Sequence, residues 1–107
     1  MYISRLSFYT HPGQTETVAQ RLTQLADLIV ATGLPRPRVL RMSMASPGAP
    51  DLQFEEEFAA LADLERSMQQ VVGATEFQQW SAGMAALLLQ PPKREILTVE
   101  TAGEPAG

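Results

Sequence analysis

The chain has 107 residues, enough for one domain and too few for two separate cores. Hydrophobic residues make up 45% and charged residues 19%, the balance of a globular chain and not of a disordered one. With a net charge of -4, one Lys among scattered Arg and no Cys, the sequence excludes a basic nucleic-acid grip, a disulfide framework and a thiolate nucleophile.

Tyr2 to Thr10 is rich in aromatic and β-favouring residues and reads as a strand, broken by His11-Pro12-Gly13. From Gln14 to Thr32 the residues Val18, Leu22, Leu25 and Ile29 recur at steps of four and three, which marks one helix face. Gly33 suits the left-handed position after that helix, and Pro35 forbids its continuation. Arg36 to Ala45 is expected as a second strand, with Leu40, Met42 and Met44 alternating. A loop, Ser46 to Asp51, leads to a third strand over Leu52 to Phe58. Ala59 to Val72 then turns helical, with Leu61, Leu64, Met68 and Val71 on one side and Gly73 at its end. Thr75-Glu76-Phe77-Gln78 has the spacing of a capping box and opens a further helix through Trp80, Met84, Leu87 and Leu88, stopped by Pro91-Pro92. Arg94 to Glu100 is a fourth strand, so residues 1–100 form the domain and residues 101–107 a flexible tail.

The order strand, helix, strand, strand, helix in two pieces, strand is the α+β, ferredoxin-like βαββαβ layout. A four-stranded antiparallel sheet carries its helices on one face and leaves the other bare. If even residues oppose even residues throughout, Leu6, Phe8, Leu40, Met42, Met44, Leu52, Phe54 and Phe58 face the helices. The bare face then holds Ile3, Arg5, Ser7, Tyr9, Val39, Arg41, Ser43, Gln53, Glu55 and Glu57. A sheet with one uncovered face is a poor stopping point for so small a domain, so a second copy is expected to cover it.

No phosphate loop, dinucleotide fingerprint or zinc-protease helix is present. The apolar run Met84 to Leu89 is far short of the ~20 residues of a membrane span. Met1 to Arg5 lacks the layout of a secretion signal, so the expected location is cytoplasmic. Neither a nucleic-acid nor a membrane partner is expected.

Tyr9-Thr10-His11-Pro12-Gly13 followed at once by an amphipathic helix resembles the dimeric α/β-barrel superfamily. The stretch from Glu76-Phe77-Gln78-Gln79-Trp80 through Pro91-Pro92-Lys93-Arg94-Glu95-Ile96-Leu97 is similar to the last helix and strand of its NIPSNAP-like branch, near the antibiotic-biosynthesis-monooxygenase-like branch. The resemblance covers residues 2 to 100. It implies a homodimer with a ligand-sized cavity between sheet and helices or inside the barrel. It also implies that activities built on Asn and Trp side chains are a poor match, because the chain contains no Asn.

The candidate pocket residues are Arg5, Tyr9, His11, Arg41, Glu55, Glu56, Glu57 and Trp80. Glu56 faces the helices by parity, where it either reaches solvent or lines a pocket with a raised pKa as a possible acid or base. Arg5 and Arg41 are expected to neutralise Glu55 and Glu57. His11 is a loop residue or a base, and Trp80 belongs to a stripe with Phe77 and Met84 that suits a core or a pocket. One His without Cys is too little for a zinc site, so no metal and no cofactor is expected. The functional expectation is a homodimer that binds a small apolar or aromatic ligand. Its alternative is a cofactor-independent monooxygenase-like enzyme acting on an aromatic or polyketide-like substrate.

Overall fold

In a computed structural model, described over residues 1–104, the helix-forming segments lie where the apolar spacing puts them. The end of the expected tail, residues 105–107, lies outside the described residues. Helix α1 (Thr15–Ala31) buries Val18, Leu22, Leu25, Ala26 and Ile29. It stops because the Thr32 hydroxyl donates to the Ile29 carbonyl at 2.7 Å and Gly33 turns to φ 91, a left-handed conformation that favours glycine.

Strands β1 (Tyr2–Phe8), β2 (Arg38–Arg41), β3 (Leu52–Phe58) and β4 (Lys93–Thr98) form one antiparallel sheet in the order β2-β3-β1-β4. Even residues oppose even residues between β1 and β3, as Leu6↔Phe54, and between β1 and β4, as Ser4↔Ile96. The β2 register is different: Arg38 opposes Glu55, Val39 opposes Phe54 and Leu40 opposes Gln53. This corrects the parity expected for β2. Val39 faces the helices, Leu40 turns to the open face, and Met42 and Met44 lie beyond the strand, 41% and 91% exposed. The physical reason is that the two registers bury nearly equal apolar side chains, Val39 or Leu40, so the hydrophobic pattern hardly discriminates between them. The ion pair from Arg38 to the buried Glu55 then favours the observed one.

The crossover from β3 to β4 carries α2 (Leu61–Val72), α3 (Thr75–Ala82) and a single 3-10 turn at Ala85–Leu87. α2 buries Leu64, Ser67 and Val71, while Leu61 and Met68 remain partly exposed. The expected capping box does not form: Ala74 is the residue before α3, with no side-chain cap, and Thr75 is already helical. The helix also ends earlier than Pro91-Pro92 would require. It stops at Gly83, where a Cβ would lie 2.7 Å from the Arg21 Nη1 atom, so the guanidinium of α1 occupies the space a side chain would need.

The core lies between the sheet and the helices. Phe8, Leu52 and Phe54 meet Val18, Leu22 and Ile29, with Val71, Met84 and Leu88 closing one side. No helix among the described residues is long and apolar enough to cross a membrane.

Candidate functional site

The segment after β1 is tied to the segment before β4. The Leu89 N–H donates to the Tyr9 carbonyl at 2.8 Å, the His11 N–H donates to the Leu87 carbonyl at 3.0 Å, and Thr10 bridges to Leu88. Thr10 is buried and bound from two sides. Its N–H donates to Asp51 Oδ2 at 2.8 Å, and its hydroxyl lies 2.7 Å from that of Thr15. Neither Thr10 nor Asp51 stands out in the sequence as anything but a strand end and a loop residue.

Beside these anchors a cavity of about 500 Å³ lies between the sheet and the helices. Its sheet wall is Leu6, Phe8 and Phe54, and α1 adds Leu25 and Ile29. Met68 and Val71 of α2, with Phe77 and Trp80 of α3, form the opposite wall. The Phe77 and Trp80 rings stack with centroids 5.7 Å apart. The Trp80 indole N–H donates to the Arg21 carbonyl, so the polar edge of the ring is satisfied and its face is left to the apolar cavity. A space of this size and lining is characteristic of small-molecule sites.

Glu56 and Arg94 are the charged residues in the cavity wall, and Ser67 adds a buried hydroxyl. Burial pushes the Glu56 carboxyl above the usual carboxylate range, and the nearby Arg94 and Ser67 only partly offset this. Glu56 itself is half-buried and lines the pocket. The parity of β3 put it on the helix side and left solvent or pocket open.

The other sequence candidates are dispersed. Arg5 and Glu55 meet on the open face, where Arg5 Nε donates to Glu55 Oε2 at 2.5 Å and Arg38 Nη2 donates to Oε1 at 2.6 Å. Burial opposes ionisation of Glu55, but the two guanidinium hydrogen bonds hold its carboxyl below the usual range. Arg38 thus takes the place expected for Arg41. Arg41 instead reaches back to the helix side and pairs with Glu16 of α1, 2.7 Å away, and holds that carboxyl below its usual range. Glu57 is exposed, and no Arg pairs with it among the described residues. Tyr9 is half-buried, with the Lys93 ammonium 5.4 Å from its ring centroid. His11 is exposed in the loop, where its backbone N–H donates to Leu87 and its carbonyl accepts from Gln14. Of the eight candidates, Glu56 and Trp80 are the two brought together at the cavity. Among the described residues no group of three His, Asp or Glu side chains is placed to hold a metal ion.

No family model matches the chain, and no curated protein is detectably similar to it in sequence. Solved structures share its fold. An uncharacterised NIPSNAP-like domain protein from Burkholderia xenovorans matches with a TM-score of 0.75 at 15% identity, over 99% of this chain and 90% of that one. A provisionally assigned antibiotic biosynthesis monooxygenase from Nitrosomonas europaea matches with a TM-score of 0.69 at 13% identity, over 94% of this chain and 100% of that one. A second provisional monooxygenase of this kind, from Deinococcus radiodurans, matches with a TM-score of 0.68 at 16% identity over the whole of both chains. The chain therefore has the ferredoxin-like fold of antibiotic-biosynthesis-monooxygenase-like and NIPSNAP-like proteins.

Proposed function

We propose that this protein is a homodimeric binding domain whose sheet–helix cavity takes a small apolar or aromatic ligand. The observation that carries the reading is the cavity of about 500 Å³, walled by Phe54, Phe77, Trp80 and Met84. A space of that volume left empty forfeits the dispersion contacts that a ligand would restore. The dimer is supported by the open sheet face. There Ile3 and Leu97 lie opposite one another and Leu40 is 38% exposed, around the Arg5–Glu55–Arg38 cluster.

Trp80 is the only Trp and lies in the wall, so its fluorescence reports on filling of the cavity. Titration with an apolar aromatic probe such as naphthalene is expected to shift the emission saturably. Ala85→Phe, which puts a ring into the same space, is expected to abolish the shift while the chain stays folded. A linear, unsaturable response that Ala85→Phe leaves unchanged refutes the reading. Sedimentation at micromolar concentration tests the dimer, and a mass near one chain refutes it.

The second reading is an oxygen-using enzyme of the kind named for two of the structural neighbours. Glu56 favours it, as a carboxyl in an apolar wall with a raised pKa is suited to take a proton. The absence of Asn argues against the best-known chemistry that the resemblance implies. Oxygen uptake with a panel of hydroquinones, lost in Glu56→Gln, is the outcome expected of the enzyme. No turnover across the panel leaves the binding domain.

A further inference from the structure

The cavity lining is mostly apolar, with Ser81, Gln90 and one polar cluster as the exceptions. In that cluster Arg94 and Ser67 both act on the Glu56 carboxyl, and all three residues line the cavity. Arg5, Arg36, Arg38, Arg41 and Arg66 each have a carboxylate partner. Arg94 has none within ion-pair distance among the described residues, and the polar contact of its Nη1 is the Met68 thioether, 3.0 Å away. A thioether is a weak acceptor and leaves the fork of guanidinium donors free for an oxyanion.

We propose that the ligand is an amphiphilic monocarboxylate, its chain or ring in the apolar cavity and its head on Arg94, with Ser67 and Glu56 as further hydrogen-bond partners. This rests on the reading of the cavity as a ligand site and names the ligand class. Other heads fit the local charge less well. The permanent charge in this cluster is that of Arg94, because burial favours the neutral form of Glu56. An ammonium head would face the guanidinium. A phosphate would bring more negative charge than one guanidinium offsets, next to a carboxyl. A carboxylate is matched by Arg94 and can accept a hydrogen bond from protonated Glu56.

The surroundings of Glu56 add no competing charge. From β4 it faces Arg94, from β1 its register partner is Ser4, and from α2 it faces Ser67. Asp63 and Arg66 of α2 are paired with each other. The parts of α1 and α3 that line the cavity are Leu25, Ile29, Phe77, Trp80 and Ser81, none of them charged.

The test is calorimetric titration of the intact chain with decanoate, decanol and decylamine, with naphthoate as an aryl counterpart. Decanoate or naphthoate is expected to bind about tenfold or more tightly than decanol and decylamine, the scale of one charge-assisted bond. Arg94→Leu is expected to remove that preference by weakening decanoate far more than decanol, and Arg94→Lys to restore part of it. Glu56→Gln is expected to keep the preference and to abolish the loss of carboxylate affinity as pH rises above the ordinary carboxylate range. Equal affinity for decanoate and decanol, or a preference that survives Arg94→Leu, overturns the inference but leaves the cavity reading standing. Failure of all four probes to bind overturns both.

Discussion

Exchanging single arginines decides whether β2 sits in the observed register. Glu55 is 3% exposed and shared between Arg5 and Arg38. Removing one partner of a fully buried ion pair costs about 3–5 kcal/mol, whereas fully exposed pairs contribute about 0–1 kcal/mol. The Arg38 side chain is 59% exposed, so water replaces much of what is lost, and Arg38→Ala is expected to cost about 1–2 kcal/mol. For a domain of this size each kcal/mol moves the melting temperature by roughly 4–8 °C. Arg41→Ala removes a pair whose two members both stand in solvent, so no resolvable shift is expected. The assay is thermal or urea denaturation of both variants beside the parent, at neutral and at acid pH. The Glu55 carboxyl is lowered in the folded chain, so the unfolded chain binds more protons over that window. Its contribution is full above the ordinary carboxylate range and is lost as pH falls through the folded value. The Arg38→Ala deficit should therefore shrink in acid. A larger loss in Arg41→Ala than in Arg38→Ala, or a deficit that does not depend on pH, refutes the register and the role of Glu55.

Glu56→Gln should act in the opposite direction. The folded chain holds this proton more tightly than the unfolded one, so parent stability falls as pH rises above the ordinary carboxylate range, and the variant should lack that fall in a urea series across pH. Asp51→Ala leaves the buried Thr10 N–H without its acceptor and is expected to cost about 1–3 kcal/mol by chemical denaturation. Its amide exchange should speed up first around residues 9–11 and 87–89, which the same anchor holds together. Phe54→Ala removes a fully buried ring between α1 and the sheet and is expected to cost about 3–5 kcal/mol, with a loss under about 1 kcal/mol contradicting the described core.

The architecture was legible because its signals are local and repeated. α1 could be read from four apolar residues on one face and a glycine after it, and β3 from Leu52, Phe54 and Phe58 in strict alternation. That alternation also placed Glu56 on the helix side, while its choice between solvent and the cavity wall depended on the helices opposite. Trp80 was legible as part of a stripe, but its choice between core and pocket depended on how far α3 stands from the sheet. The role of Arg94 was hidden, because a basic residue at the start of a strand looks like any solvated charge until the wall around it is seen.

Sequence periodicity by itself determined the order of elements, the face of α1 and the inward side of β1 and β3, since burying apolar area on a period of 3.6 or 2 leaves little freedom. Only the tertiary structure decided the register of β2, where Val39 and Leu40 are nearly equivalent apolar choices and a distant charge, the buried Glu55, favours the observed pairing. The same holds for the end of α3. The helix ends at Gly83, where Arg21 from another helix takes the space a side chain would need, a packing demand that the sequence shows only as a lone glycine. Contacts between residues far apart in the chain leave no periodic trace in it, and the cavity with Glu56 and Arg94 is built from such contacts.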